Sequence, residues 1–526
     1  MTTGPASTLG RQRRRWRASA PELTILAVGA LGGLLFAFVS PPFQVPDENV
    51  HLRRAYQIAT GAPLERRADG SLGVELPASL EELIRLCLAG RPFLPLGLLP
   101  AGTLEAARRI PLAPARQVFV PLIELTPYTP VPYLPQAAGA AVGRWLELRP
   151  LWILYLARLC NLAACLALAW LAVRIAPFYK WTFTLLALTP MAMFLRSSAS
   201  PDALTTAAPL LLVSAICALA CGPRAAAVPA GPGGGDGGGE DGPAPGERAL
   251  RGGPGAPARR ERALPGEVDK AAASGDGAAE RFLVAWLLIA SAIVAGSKSG
   301  YFLLNLLVLA IPARRLGPRR RWAAVIGAVL LITVAGFANS SWAARSYFGH
   351  FQRAPSVQPY LQARGVAAHP LRFLGLVVAD YAQHLTRYAV GFVGNFGWLD
   401  TPLPAAVLVA YAFLLLASAV TGGDPGVDVS RGQRLLIAAV LAAELLVVST
   451  SQYLGWTPLG AHSIEGPQGR YYLPLAPAGA LLLYNRRWAG RFGGVSAARL
   501  DAALASASVA TTAIALVRIW TRYHGW

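Results

Sequence analysis

Apolar residues fall into eleven runs along the chain, at 22–40, 151–173, 181–196, 202–221, 282–297, 300–312, 322–345, 403–421, 433–450, 470–485 and 502–519. Polar and charged residues collect between them. A helix needs about 20 apolar residues to cross a bilayer. The pattern therefore predicts an all-α polytopic membrane protein with about 11 transmembrane helices, range about 10–13. Runs 181–196, 300–312 and 470–485 are among the shorter ones. The first run is longer than the ~7–15-residue core of a cleaved leader and no A-x-A site follows it, so it is expected to remain as an uncleaved anchor.

The intervals set the organisation. Residues 1–21 form a basic N-terminus, and 22–221 a first membrane part with a large loop, 41–150. Within that loop lie many prolines and two short amphipathic pieces, 79–88 and 102–109. Residues 222–281 are rich in Gly, Pro and Ala with mixed charge, a composition that builds no packed core and reads as a disordered linker. Residues 282–526 form a second membrane part with a second long segment, 346–400. Its stretch 371–398 carries too much charge for a spanning helix and suits a membrane interface.

Composition narrows the class. Residues AVILMFWYC make up 54% of the 526 and charged residues 14%. Soluble domains sit near about 45–50% apolar and about 25% charged, and disordered chains are apolar-poor. Both are excluded, and a mean hydropathy of +0.43 agrees. The formal charge of +20, from 48 Lys+Arg against 28 Asp+Glu, would suggest nucleic acid in a soluble protein. Here the basic clusters RQRRRWR (11–17), Arg174 with Lys180, RRLGPRRR (314–321), Arg431 with Arg434, and NRRWAGR (485–491) all fall on one side when the spans are counted. That is the positive-inside pattern, and it puts the N-terminus in the cytoplasm and both 41–150 and 346–400 outside. The five Cys (87, 160, 165, 217, 221) form no CxxC pair, so neither a metal site nor a disulfide framework is indicated. There is no internal or inverted repeat and no phosphate-binding GxxxxGK[ST] loop.

The informative polar residues then gather on the outer side. PPFQVPDENVHLRRAYQ (41–57) opens the large loop with Asp47 and Glu48. If a helix begins at Pro46, Asp47 and His51 share a face, with Arg54 near them. Asp47 is either a helix cap or a general base at the membrane boundary, where a lipid-linked substrate would meet it. RSSASPDAL (196–204) supplies Arg196 and Asp202, the latter again at a plausible helix start. SKSGY (297–301) places Lys298 between apolar runs, either snorkelling or paired in a site. YTPVPYLPQAAG (128–139) brings Tyr128 and Tyr133, which interface belts also explain. HLTRYAVGFVGNFGWLDTPLP (384–404) adds His384, Arg387 and Asp400. SIEGPQGRYYLPLAP (463–477) adds Glu465, Gln468 and Arg470, and Arg470 either snorkels or grips a phosphate bidentately. Carboxylates, imidazoles and cations on one side suit an anionic headgroup and a hydroxyl nucleophile.

PPFQVPDENVH, YTPVPYLPQAAG, SSASPDAL, SKSGY, FGWLDTPLP and EGPQGRYYLPL, in this order, resemble the bacterial predicted-membrane-protein family called domain of unknown function 2142. The resemblance covers roughly 22–485 apart from 222–281. That family is grouped with the C-type glycosyltransferases, which implies many transmembrane helices, a large first extracytoplasmic loop, a carboxylate soon after the first helix and a polyprenyl-phosphate-linked sugar donor. By this resemblance Asp47 is the catalytic base, with Glu48 as alternative or helper. Arg470, Lys298, Arg196 and Arg387, in falling order, are the candidates for the donor phosphate. His51 and Asp202 orient acceptor or base. Some members of the superfamily hold a divalent cation such as magnesium or manganese, for which Asp47, Glu48 and Asp202 are the candidate ligands. The sequence departs from better-known members in lacking a sizeable soluble C-terminal domain, so acceptor recognition is expected from 41–150, 346–400 or a partner.

The expected function is a glycosyltransferase of the bacterial cytoplasmic (inner) membrane. It acts on the extracytoplasmic side and passes a sugar to an envelope polysaccharide or glycolipid, with membrane lipid but no nucleic acid as partner. The competing expectations are a transporter or flippase of lipid-linked saccharide and a non-catalytic envelope-assembly protein.

Overall fold

The structure is a computed structural model describing residues 18–67, 72–89, 98–122, 128–221, 265–298, 300–316, 318–350, 355–488 and 497–525. Helix α1 (Ala20–Val39) leads through a tight turn into α2 (Glu48–Thr60). Strands β1 (Glu65–Arg66) and β2 (Leu72–Pro77), helices α3 (Ala78–Cys87) and α4 (Thr103–Arg109), strand β3 (Gln117–Pro121) and helix α5 (Leu134–Trp145) complete the first loop. Then come α6 (Pro150–Ile175), α7 (Lys180–Ala187), α8 (Pro190–Arg196) and α9 (Asp202–Cys221). The second part holds α10 (Pro265–Gly296), a 3-10 segment Tyr301–Ala310, α11 (Arg319–His350), α12 (Pro359–Ala368) and α13 (Pro370–Val393). Strands β4 (Asn395–Phe396) and β5 (Thr401–Pro402), helices α14 (Ala405–Thr421) and α15 (Arg431–Trp456), a 3-10 segment Gly469–Leu475, α16 (Ala476–Leu483) and α17 (Ala497–Tyr523) close the chain.

Among the described residues, seven of the eleven apolar runs are continuous helices long and apolar enough to cross a bilayer: those in α1, α6, α9, α10, α11, α15 and α17. The other four take different forms. Run 181–196 is split into α7 and α8 because Pro190 has no N–H to continue the ladder. Run 403–421 gives the 17-residue α14. Runs 300–312 and 470–485 open as 3-10 segments, the second containing Pro474. α9 is the central helix, with 89% of its apolar window buried against 28% in α10, α11 and α17. It packs on α6 and α10, while the less buried helices turn apolar side chains outward. Outward Leu and Phe at this density suit lipid rather than water.

Two expectations need correction. The chain is not all-α: β1, β2 and β3 form an antiparallel sheet in that order, with Val74 opposite Val120, and β4 pairs with β5. The sheet packs on α3, which packs on α4; these helices match the two expected amphipathic pieces, and the sheet shares a hydrophobic cluster with them, α2, α5 and the start of α6. The first loop therefore has a core of its own. Second, the linker expected over 222–281 ends earlier, because residues 265–281 already belong to α10. Residues 222–264 lie outside the described residues.

The chain ends of the helices differ in their polar chemistry. At one end Glu22 of α1 accepts from Lys180 at 2.5 Å and Arg174 at 2.7 Å, and Trp181 donates to Asp501 at 2.6 Å. The opposite end carries the turn after α1, the start of α9 and the breaks before Tyr301 and Gly469. The last break is fixed by a glycine contact. Gly469 lies so close to α13 that an added Cβ would strike the Tyr388 carbonyl and the Phe392 amide, both backbone atoms. Gly469→Ala is expected to push the segment off α13 and to cost about 3 kcal/mol, the upper range for overpacking. Denaturation of the purified variant in detergent checks this; unchanged stability would show that the close approach relaxes freely.

Candidate functional site

A buried ion pair builds the site. Arg158, in the middle of α6, and Glu48, at the start of α2, are both 0% exposed. Arg158 donates from Nε to Glu48 Oε1 at 2.8 Å and from Nη2 to Oε2 at 2.6 Å. Its other donors reach the carbonyls of Ala37 (2.6 Å), Ser40 (2.8 Å) and Pro41 (3.1 Å). Glu48 also accepts from the Phe43 amide at 2.9 Å and the Ala199 amide at 3.0 Å. Every guanidinium donor and every carboxylate lone pair is used. The pair caps the orphan carbonyls ending α1 and fixes the turn that follows.

That turn presents Asp47. Its backbone is left-handed, φ 63°, a conformation Asp tolerates better than most residues but which still carries strain. The Asp47 carbonyl accepts from the His51 amide, while its side chain makes no capping bond. Its carboxylate is 44% exposed and lies 3.5 Å from Arg470 Nη2. Arg470, 4% exposed, also places Nε 3.5 Å from Asp202 Oδ2. Lys298 Nζ lies 3.6 Å from Asp202 Oδ1 and 3.9 Å from the centre of the Tyr471 ring, a cation–π contact. Tyr301 OH donates to the Tyr471 carbonyl at 2.8 Å, which ties the two 3-10 segments together and sets Lys298 beside Arg470. Burial alone would push the Lys298 ammonium down, but the Asp202 carboxylate holds it well above its usual range. Arg470 is likewise held up against burial by Asp202.

An aromatic wall closes one side. Thr129 Oγ1 donates to the Gly296 carbonyl at the end of α10, which carries the Tyr128–Tyr133 segment to the site. Tyr133 OH and His51 Nδ1 are hydrogen-bonded at 3.0 Å, and the Tyr128 ring packs edge to face on both. Burial pushes His51 down to about 4 from 6.5, only partly offset by Asp47 and Asp202. His51 is therefore neutral at neutral pH, while the unfolded chain takes up a proton below 6.5. Stability present above pH 6.5 is lost as pH falls toward 4, by about 3 kcal/mol from this group. Thermal midpoints across that range should fall less steeply for His51→Gln than for wild type; parallel slopes would remove His51 as the cause.

A family model described as "Predicted membrane protein (DUF2142)" matches residues 31–228 and 271–478. The chain belongs to this family. No curated protein and no solved structure matches it. The two matched stretches of this DUF2142 protein contain Asp47, His51, Tyr128, Tyr133, Asp202, Lys298 and Arg470, all of which the fold brings together. It is a multi-pass membrane protein.

Other expected site residues of the DUF2142 chain stand elsewhere. Glu48 is sealed beneath the surface by Arg158, so it cannot meet a substrate hydroxyl. Asp400 is held by Arg522 of α17 at 2.6 Å. Arg387 and Glu465 are exposed on the surface without an ion pair among the described residues. Arg196 is buried with its Nη1 3.7 Å from the Met193 sulfur and joins no carboxylate among the described residues. Arg54 donates to Gln57 at 2.8 Å. Gln468 precedes the Arg470 segment, and its Oε1 is buried without a hydrogen-bond partner among the described residues. His384 belongs to a separate cluster on α13, where Asp380 accepts from Tyr388 OH at 2.6 Å and lies 3.0 Å from His384 Nδ1. The trio Asp47, Glu48 and Asp202 does not fit a divalent cation. Glu48 has no free lone pair, Arg470 lies against both remaining carboxylates, and no group of three or more metal-ligating side chains occurs among the described residues.

Sequence reasoning missed Arg158, Asp380, Glu444 and Tyr471. A lone arginine or acid inside an apolar run was the available signal for Arg158 and Glu444. Glu444 of α15 accepts from the Leu304 amide at 2.9 Å and so caps the Tyr301–Ala310 segment. For Asp380 the signal was its spacing of four and eight residues from His384 and Tyr388 on one helix face.

Proposed function

We propose that the protein is a membrane glycosyltransferase. It takes a sugar from a polyprenyl-phosphate donor and gives it to an envelope polysaccharide or glycolipid, on the extracytoplasmic side of a bacterial cytoplasmic membrane with the N-terminus inside. One observation carries the reading: a half-exposed carboxylate, Asp47, is held beside the buried Arg470, and Asp202 links Arg470 to a second, partly buried cation, Lys298. Asp47 takes the proton of an acceptor hydroxyl. The hydroxyl oxygen bonds to the anomeric carbon from the face opposite the phosphate, the bond from that carbon to the phosphate oxygen breaks, and the sugar inverts. The leaving lipid phosphate keeps the electron pair, and Arg470 with Lys298 stabilises its charge where it develops. Tyr133 fixes the imidazole of His51, which as a neutral group adds no charge beside Asp47.

A transporter of lipid-linked saccharide is the second reading, favoured by Lys298 just before one segment that is not regular α-helix and Arg470 within another. The test is radiolabelled sugar incorporation from synthetic polyprenyl-phosphate donors by the purified protein in lipid, beside movement of the same donors across proteoliposomes. Sugar transfer supports the enzyme; movement without transfer supports the transporter and overturns the enzyme.

A further inference from the structure

Among the described residues, the bracing ion pairs differ from those of the site. Those that brace the fold are closed: Glu48–Arg158 at 2.6 Å, Glu22–Lys180 at 2.5 Å and Asp400–Arg522 at 2.6 Å. Those of the site are open, at 3.5, 3.5 and 3.6 Å, within ionic reach but beyond a good charged hydrogen bond. Arg470 Nε is buried with no hydrogen-bond partner among the described residues. A desolvated donor of this kind is costly to leave unmet. Asp202 also begins α9, whose dipole makes the place more favourable for an anion. The charges balance without a ligand, with Lys298 and Arg470 against Asp47 and Asp202. The arrangement around Asp202 is thus an anion site already holding an anion, and holding it loosely.

We infer that Asp202 is a built-in counter-anion, whose carboxylate stands in for a substrate phosphate and yields Lys298 and Arg470 to it when the substrate binds. The identity of the anion as a phosphate rests on the glycosyl-transfer reading; the geometry of the counter-anion does not. Asp202 is fixed to the first turn of α9 and cannot close on both cations. A phosphate bears several oxygens, so it reaches Arg470 Nε and Lys298 Nζ together at hydrogen-bond distance. In the wild type it must first displace a resident carboxylate, which keeps the two cations neutralised in the membrane and lowers affinity for stray anions. The same carboxylate gives the leaving lipid phosphate a competitor for its cations, which favours release.

The experiment titrates inorganic phosphate into the full-length protein in lipid nanodiscs and reads binding by calorimetry. Asp202→Asn is expected to bind phosphate at least about tenfold tighter than wild type, a difference of about 1.4 kcal/mol. Adding Lys298→Met should abolish the gain. Asp202→Glu keeps the charge and should bind no tighter than wild type. Unchanged or weaker binding by Asp202→Asn overturns the inference, as does tighter binding by Asp202→Glu. If Asp202→Asn is unstable in chloride, phosphate should restore its thermal midpoint while leaving wild type unmoved, and failure of that rescue also overturns it. Sugar transfer is assayed separately. Tightened phosphate binding without transfer from any donor would sink the enzyme reading and keep the counter-anion. Transfer without tightening would do the reverse.

Discussion

Asp47→Asn should abolish measurable sugar transfer, lowering turnover by roughly 10²–10⁴-fold, the usual contribution of a positioned general base. The substitution is nearly isosteric. It removes the proton acceptor but leaves the left-handed turn, which Asn also tolerates. It also leaves Arg470 with Asp202 as partner, so the fold and the cation pair persist. The loss should therefore appear in kcat and not in donor affinity, which would stay level or rise slightly as one negative charge leaves the side of Arg470. Radiolabelled transfer by wild type and variant at saturating donor, with thermal midpoints of both, separates these effects. Full turnover in a well-folded Asp47→Asn protein would take the base role from Asp47. Glu48 would not inherit it, because both of its oxygens are sealed. The next carboxylate facing the site is Asp202.

Arg158→Met should destabilise the protein by about 3–5 kcal/mol, the cost of leaving one partner of a buried ion pair uncompensated. Methionine fills much of the volume but supplies none of the five donors. Glu48 then keeps only two backbone amides, and the carbonyls ending α1 lose their cap. Lysine is a poor substitute, since a single ammonium cannot span the Glu48 carboxylate and three carbonyls at once. The double variant Arg158→Met, Glu48→Gln removes the stranded charge and should regain part of the loss. Denaturation of wild type, Arg158→Met, Glu48→Gln and the double variant in detergent measures the coupling. An Arg158→Met variant as stable as wild type would show that the pair does not brace the turn.

The two predictions concern adjacent residues with opposite fates. In the sequence Asp47 and Glu48 are equivalent acids after an apolar run, and each suits a cap, a base or a ligand. Their separation depends on Arg158, 110 positions away from Glu48, whose side chain points at one of them. The left-handed backbone of Asp47 turns the other outward. Asp400 shows the same limit. It stands among polar residues that resemble a site, yet Arg522 of the last helix claims it. Asp202, Lys298 and Arg470 were legible because ionisable groups at the ends of apolar runs are costly unless they meet one another or water.

Sequence alone determined that this chain is a helical membrane protein and where its apolar runs lie, because burying backbone in lipid demands long apolar helices and leaves few alternatives. It also determined which short motifs hold the charged candidates. The tertiary structure decided which carboxylate braces and which faces the site, and which runs are broken. It also placed a small sheet in the first loop. Those outcomes rest on contacts between distant residues at distances of a few ångströms, and neither periodicity nor composition encodes such contacts one residue at a time.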